Sequence, residues 1–204
     1  MSQTKTRKRT RQIRVGDVAV GGDAPVSVQT MTKTDTRDVD TTIRQILELE
    51  KIGCDIIRIA VVDNDAAAAL GKIKKRVNIP VVADIHFDHK LALSAIDAGV
   101  DGLRINPGNI GDTKKVEEIA RAARGRELPI RVGVNSGSLE KDIEEKFGGR
   151  TPEALVESAM RHVKILEDLG HEWIKISVKA SDVRKNIAAY RLLSERTDHP
   201  IHLG

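Results

Sequence analysis

Residues 102–111 read GLRINPGNIG, and this stretch indicates the fold class of the chain. A short apolar run carries Arg104 and Asn106 on one face and then opens into a loop of glycine and proline ahead of a helical pattern. A strand with charged groups at its carboxyl end, followed by such a turn, is typical of ligand sites in α/β proteins. We therefore expect a parallel sheet whose binding site lies at the carboxyl ends of its strands.

The same strand-and-helix unit recurs along the chain. From Pro25 onward, short β-branched runs alternate with helical patterns, which predicts βα units. Upstream, residues 12–22 alternate around a Gly-Asp turn and predict a hairpin that closes one end of the core. The predicted strands of the sheet cover residues 26–32, 56–62, 81–86, 102–107, 130–135, 173–179 and 201–204.

These units are of two alternating kinds. One kind begins with glycine, has an acid two positions later and a base five positions later, as in Gly53 to Arg58, Gly99 to Arg104 and Gly170 to Lys175. The other kind begins with proline, which a strand start tolerates because no ladder hydrogen bond is needed there. The prolines are Pro25, Pro80, Pro129 and Pro200.

The four proline-led and three glycine-led strands make seven, one fewer than the eight strands of a closed (β/α)8 barrel. The predicted fold class is therefore α/β, a (β/α)8 TIM-type barrel truncated after about seven strands, with an N-terminal β-hairpin. We interpret residues 1–11 as a basic tail and residues 12–204 as an incomplete TIM-barrel substrate-binding domain, a fragment of a longer protein. Because its edge strands would lack partners, the chain is expected to self-associate when made alone.

The spacing of the units predicts an insertion. Gly53 and Gly99 are 46 residues apart and Pro80 and Pro129 are 49 apart, but both spacings that include residues 129–170 are 71. The extra 22–25 residues are best explained by Ser136 to Arg150, which follow the carboxyl end of a strand. Two interpretations of this segment remain: a lid over the binding site, or a short surface helix without a ligand role.

Composition excludes several classes of protein. At 204 residues with 40% hydrophobic content, the chain suits one α/β domain, and it has neither a membrane-length apolar run nor a signal peptide, so we expect a cytoplasmic protein. The net charge of +4 arises from six bases without an acid in residues 1–16, which leaves −2 on the rest. A basic tail on a nearly neutral body with four aromatic residues makes nucleic acid an improbable partner.

Alternate residues of the strands separate an apolar face from a polar face. In a barrel the polar residues converge inside and at the mouth, where the bases outnumber the one acid, Asp84. Buried charges need partners, so an anionic ligand would balance this excess, and arginine matches phosphate oxygens in pairs. We expect phosphate or diphosphate. The alternative is a salt-bridge layer lower in the barrel that holds Lys175 and Arg58 with Asp84.

Asp84 and His86 share one strand face, and their role as acid and base, metal ligands or hydrogen-bond partners of a substrate stays open. Two such groups are a weak signal for a metal, and no metal site is predicted. The other histidines, His89, His162, His171 and His199, are expected at the surface. Cys54 is the only cysteine of the chain, so it forms no internal disulfide and is expected to be buried.

Several motifs in one order resemble the bacterial 4-hydroxy-3-methylbut-2-enyl diphosphate synthases. They are VQTMTKTDTRD (28–38), the Arg58 strand, ADIHFD (83–88), LRINPGNIG (103–111), RVGVNSGSLEKD (131–142), TPEALVESAMRHV (151–163) and SVKASD (177–182). The resemblance implies an oxidoreductase of the methylerythritol phosphate route to isoprenoids. In that family an amino-terminal barrel binds 2-C-methyl-D-erythritol 2,4-cyclodiphosphate, and a carboxyl-terminal domain holds a [4Fe-4S] cluster.

The resemblance also implies partners and site residues. Flavodoxin or ferredoxin supplies two electrons, and a homodimer sets one subunit's barrel against the other's cluster domain. The ligands of the cluster are absent from this chain, so no catalytic residue is assigned to it and no activity is expected of it alone. The substrate-binding residues implied by matching motifs are Arg58, Asp84, His86, Arg104, Asn106, Arg131, Asn135 and Lys179.

Two other functions fit the residues. One is a different phosphate-binding barrel of the pterin-synthase kind, which would need no cluster. The other is a non-catalytic fragment whose basic arm contacts RNA or a protein partner. In the latter case, removal of residues 1–11 would abolish binding, whereas changes at Arg58, Arg104 and Arg131 would not.

Overall fold

The computed structural model describes residues 7–106, 110 and 113–204. A hairpin of β1 (Gln12–Val15) and β2 (Val18–Gly21) precedes the sheet. The sheet strands are β3 (Gln29–Met31), β4 (Ile56–Val61), β5 (Val81–Ile85), β6 (Gly102–Ile105), β7 (Ile130–Asn135) and β8 (Ile174–Lys179). The helices are α1 (Val39–Lys51), α2 (Asn64–Lys74), α3 (His89–Asp97), α4 (Thr113–Arg124), α5 (Lys141–Lys146), α6 (Pro152–Asp168) and α7 (Val183–Arg196).

The six sheet strands are all parallel and are paired in chain order from β3 to β8. The sheet curls into part of a barrel, because Nζ of Lys175 on β8 lies 3.4 Å from Oε1 of Gln29 on β3, at opposite ends of the strand order. This confirms the predicted α/β fold of TIM-barrel type. The predicted strand 201–204 is reduced to one bridge between Ile201 and Ile176, and the strand predicted from residue 26 begins at Gln29.

The outer face of the sheet forms the main core beneath the helices. Its residues follow the predicted parity and are nearly all inaccessible, and Cys54 lies in the same cluster, as expected. Burial of side chains of this size stabilises a fold by about 1.5–3 kcal/mol each. The outward residues are Ile57, Ile59, Val61, Val81, Ala83, Ile85, Leu103, Ile105, Val132, Val134, Ile174, Ile176 and Val178.

The glycine-led repeat has two structural tasks. Gly53, Gly99 and Gly170 have φ values of 95°, 82° and 69°, which only glycine adopts readily, and each lies directly after the C-cap residue of a helix. The acid two positions later then caps the neighbouring strand: Oδ2 of Asp55 accepts the Val28 N–H, and Oδ2 of Asp101 accepts the Val81 N–H, each at 2.7 Å. One short motif therefore ends a helix and aligns the next strand pair.

The hairpin closes the amino-terminal end of the barrel, as predicted. Ile13, Val15 and Val20 pack against Ile56 and Val82, which face inward at the start of their strands. Gly16 provides the turn between β1 and β2 with a φ of 57°. The interior is thus apolar where the hairpin packs against the starts of β4 and β5.

The described part of the basic tail lies against the body. Arg7 donates to the carbonyl of Ala24, Lys8 donates to the carbonyl of Thr197, and Nε of Arg11 lies 2.9 Å from Oδ2 of Asp198. Because Arg7, Lys8 and Arg11 contact groups of the body, their side chains are less available to bind a nucleic acid. Within the described residues, no helix is long and apolar enough to cross a membrane.

The expected insertion follows β7, at the carboxyl end of the sheet. It contains a 3-10 turn (Ser136–Ser138) and the short helix α5, and Leu139 and Ile143 from it are buried in the main core. Oε1 of Glu140 lies 2.7 Å from Nε2 of His162 on α6, and Oε2 accepts a hydrogen bond of 2.6 Å from Ser158. The insertion is thereby fixed to α6.

The expectation that four histidines lie at the surface was wrong for three of them. His162, His171 and His199 are buried. His162 lies beneath the insertion, while Nε2 of His171 and of His199 lie 3.2 Å from the Trp173 carbonyl oxygen and 2.9 Å from Glu167. The error arose because a helix or turn position alone does not reveal which side other elements cover.

Candidate functional site

A cavity of about 560 Å³ opens at the carboxyl ends of the strands. Side chains from β3, β4, β5, β7 and β8 line it, together with Arg104 of β6 and with Tyr190 of α7. Because every sheet strand is parallel, their carboxyl ends meet here, which is where barrels of this type place their ligands. The cavity is therefore the candidate binding site.

Asp84 is the only carboxylate among the residues that line this cavity. It is 2% exposed. Its Oδ1 lies 3.1 Å from a terminal nitrogen of Arg104, and its Oδ2 lies 3.4 Å from Nε of Arg58 and 3.5 Å from Nε2 of His86. One negative charge is thus shared by two arginines and a histidine.

The arginines are not satisfied by this arrangement. The Nε atoms of Arg58, Arg104 and Arg131 are buried and have no hydrogen-bond partner. Arg131 is 4% exposed, and no described residue forms an ion pair with it. Burial, and then repulsion by Arg58 and Arg104, lowers its pKa to about 9. Buried cations of this kind are costly without a counter-charge, and an anion in the cavity would offset that cost.

Lys175 adds a further buried basic group near the arginines, and the neutral ring of His202 lies beside the cavity. Lys175 is buried next to Gln29, and burial together with repulsion by Arg131 lowers its pKa to about 8. Burial and the neighbouring cations lower the pKa of His202 to about 3, which keeps its ring neutral. The alternative salt-bridge layer is therefore present for Arg58, which contacts Asp84, but Lys175 has no contact with that carboxylate.

Seven of the eight predicted site residues line the cavity: Arg58, Asp84, His86, Arg104, Arg131, Asn135 and Lys179. Asn106 does not line it. Its side chain donates a 2.8 Å hydrogen bond to Oγ of Ser138, which in turn donates to the Asn135 carbonyl oxygen at 3.3 Å. Asn106 lies one residue beyond β6, where strand alternation no longer determines side-chain direction, and it holds the start of the insertion.

Met31, Gly133 and Tyr190 are among the further residues that line the cavity and were not predicted as site residues. Sδ of Met31 lies 3.1 Å from a terminal nitrogen of Arg58. Met31 lies on the same strand face as Gln29, and this alternation could have identified it as a site residue. Gly133 lies on the same face of β7 as Arg131 and Asn135, but it has no side chain that would indicate a role in binding. Tyr190 donates to the His202 carbonyl oxygen at 2.7 Å, and no sequence pattern connects α7 with that residue.

The residues present do not fit an iron–sulfur cluster. Cys54 is the one cysteine of the chain, and its Sγ is buried 3.1 Å from the Ile56 carbonyl oxygen. Within the described residues, no group of three or more histidine, cysteine or acidic side chains could hold a metal. The glycine- and proline-containing loop at residues 107–111 lies outside the described residues, apart from the buried Ile110.

Residues 10–204 match the family described as the GcpE TIM-barrel domain. The chain belongs to the GcpE TIM-barrel family. Its TIM-barrel fold is therefore that of a GcpE domain.

Curated proteins similar to this GcpE domain include two bacterial enzymes named 4-hydroxy-3-methylbut-2-en-1-yl diphosphate synthase (flavodoxin). The protein from Geobacter sulfurreducens is 62% identical over 196 residues, which are 96% of this chain and 56% of the relative. The protein from Acidithiobacillus ferrooxidans is 59% identical over 198 residues, which are 97% of this chain and 54% of the relative. The chain thus spans about half the length of these relatives.

Solved structures show the same barrel with little sequence likeness. The dihydropteroate synthase of Yersinia pestis superposes with a TM-score of 0.67 at 12% identity, covering 93% of this chain and 74% of that protein. At this identity the likeness concerns the fold alone. It supports the TIM-barrel architecture of the GcpE domain and carries no argument about a pterin ligand.

Proposed function

We propose that this chain is the substrate-binding barrel of a bacterial 4-hydroxy-3-methylbut-2-enyl diphosphate synthase and acts in isoprenoid biosynthesis. Its cavity binds 2-C-methyl-D-erythritol 2,4-cyclodiphosphate through the diphosphate. The observation that carries the proposal is the surplus of buried cations around Asp84, with three arginine Nε atoms that lack a hydrogen-bond partner. A cyclic diphosphate supplies two negative charges and several acceptor oxygens for these donors.

Each group has a distinct task in this proposal. Arg58 and Arg104 are oriented by Asp84 and present their free nitrogens to the diphosphate, while Arg131 approaches it from the floor of the cavity. Lys179 is exposed at the end of β8 and contributes a mobile charge at the rim. His86 and Asn135 provide hydrogen bonds at the mouth, and Asn106 holds the adjoining loop through Ser138.

The redox step is assigned to residues outside this chain. In the family that the sequence resembles, a [4Fe-4S] cluster receives two electrons from flavodoxin or ferredoxin, and the enzyme is a cytoplasmic homodimer. The single buried cysteine of this chain supports a role in binding and orientation alone. We also propose that the chain divides into a basic tail, residues 1–11, and the barrel domain, residues 12–204.

A chimera tests this proposal. Residues 1–204 would replace the matching part of the Geobacter sulfurreducens enzyme, and conversion of the cyclic diphosphate would be followed with a chemical reductant under anaerobic conditions. We expect turnover by the chimera, loss of turnover in its Arg104→Ala variant and none by the 204-residue chain alone. A soluble chimera with an intact cluster and no turnover, or a chain that binds pterin but no diphosphate, would contradict the proposal.

A further inference from the structure

Gly133 occupies an inward-facing position of β7, between Arg131 and Asn135 on the same face of the strand. It is not one of the residues with positive φ, so the backbone does not require glycine there. Glycine inside a strand weakens it, and such a residue often marks a close approach by another group. The remaining property that distinguishes Gly133 is the space left by its missing side chain.

The guanidinium group of Arg104 fills that space. A Cβ atom at residue 133 would lie 2.7 Å from Nε of Arg104, 3.1 Å from one terminal nitrogen and 3.3 Å from Cζ. All three distances are shorter than ordinary contacts between nonbonded carbon and nitrogen atoms. The same guanidinium reaches from Oδ1 of Asp84 on one side, at 3.1 Å, to the Gly133 carbonyl oxygen on the other, at 3.4 Å.

We propose that Gly133 is a positioning residue, which sets the orientation in which the Arg104 guanidinium meets the anionic ligand. This inference rests on the proposed function, because it concerns the same site. The Gly133 position holds the guanidinium against β7 and in contact with Asp84, which fixes the direction of the remaining N–H groups on its terminal nitrogens. A methyl group at residue 133 displaces the flexible arginine and leaves the strand in place.

This arrangement separates binding from folding. Alanine is compatible with an extended strand, and the end of an arginine side chain moves at little cost. The displaced guanidinium loses its alignment with both Asp84 and the ligand, and small displacements of a positioned group cost large factors in function. Gly133→Ala is therefore expected to weaken ligand binding while the fold keeps its stability.

A double-mutant cycle tests the inference on the full 204-residue chain. Binding of inorganic diphosphate and of the cyclic diphosphate would be measured by calorimetry for the wild type, Gly133→Ala, Arg104→Ala and the double variant. Thermal unfolding would be recorded for each protein. Gly102→Ala is the matched control, because it adds the same methyl group to a neighbouring strand where the nearest atoms lie at 3.4 Å.

We expect Gly133→Ala to weaken binding about tenfold or more, Gly102→Ala to leave it unchanged, and Gly133→Ala to have no further effect once Arg104 is alanine. The inference would be overturned if Gly133→Ala weakened binding equally in the wild type and in the Arg104→Ala background, or if it did not weaken binding at all. Should Gly133→Ala unfold the chain, recovery of folding in the double variant supports the inference and continued unfolding refutes it. If Arg104→Ala itself binds both ligands normally, the proposed function fails instead.

Discussion

Asp84 shows how one carboxylate organises several cations. It touches Arg58, Arg104 and His86, and it leaves Arg131 and Lys175 without a negative partner. In the absence of ligand, the barrel therefore holds cations whose burial is unfavourable. Function and stability should respond in opposite directions when such a group is removed.

Arg131→Met removes the most completely unpaired of these charges. We expect the free energy of unfolding to rise by about 1–3 kcal/mol, because a buried cation without a partner is replaced by an apolar chain of similar length. Urea denaturation of the two proteins measures the change. Arg104→Met is the control and should not stabilise the chain, since Arg104 is paired with Asp84. A less stable Arg131→Met protein would show that the guanidinium is compensated after all.

Lys175 gives the fold a distinct alkaline pH dependence. Burial, then repulsion by Arg131, lowers its pKa from 10.5 to about 8 in the folded chain. Between those values the unfolded chain binds more protons, so stability rises with pH from about 8 to 10.5, by roughly 3 kcal/mol at most. Denaturation at several pH values should show this rise in the wild type and a smaller one in Lys175→Met. Identical pH profiles would refute the assignment.

At the scale of elements, local repeats carry much of the fold information. In the glycine-led units, the glycine after the helix and the acid that caps a neighbouring strand are only two positions apart, so the repeat can be recognised from the sequence. Strand alternation likewise placed Arg58, Arg104 and Arg131 on one face. Asn106 escaped this reasoning because it lies beyond its strand, and Gly133 escaped it because its contribution is an absent side chain.

The insertion is held to α6 by Glu140. Although burial alone would raise its pKa, hydrogen bonds with His162 and Ser158 bring the pKa of Glu140 down to about 2. Because the folded pKa is depressed, this stabilisation is present above about pH 4.5 and is lost as pH falls toward 2. The insertion should therefore be most firmly attached at neutral pH.

Glu140→Gln is expected to loosen the insertion by about 1–2 kcal/mol, because a charged hydrogen-bond acceptor is removed. Hydrogen exchange at residues 139–150 measures the effect, which should be confined to the insertion and the facing part of α6. Glu144→Gln provides the comparison, since Glu144 forms an exposed pair with Arg150 that contributes little. Equal exchange in both variants would mean that Ile143 and Leu139 alone fix the insertion.

At the scale of the whole molecule, the described sheet stays open between β3 and the bridge at Ile201. Neither the reduction of the predicted strand 201–204 to one bridge nor the burial of three histidines could be predicted, because both depend on contacts between elements distant in sequence. The apolar side chains of Val26, Val28 and Leu203 remain exposed. Unpaired strand edges with apolar neighbours favour association between chains.

Self-association of the 204-residue chain should therefore depend on concentration and be visible by sedimentation velocity. Val28→Lys places a charge beside the open edge and should shift the chain toward monomer. Ile52→Lys replaces an exposed apolar side chain at the end of α1, away from the open edge, and should have no such effect. A chain that is monomeric at every concentration would contradict this expectation.

The central claim is that the surplus cations of the barrel exist to bind a diphosphate. Calorimetric titration of the dilute 204-residue chain tests it most directly, with the cyclic diphosphate compared against 2-C-methyl-D-erythritol, which has no phosphate. We predict one binding site for the cyclic diphosphate, at least tenfold weaker in Arg131→Met, and no binding of the phosphate-free compound. Equal binding of the two compounds, or unchanged affinity in Arg131→Met, would contradict the claim.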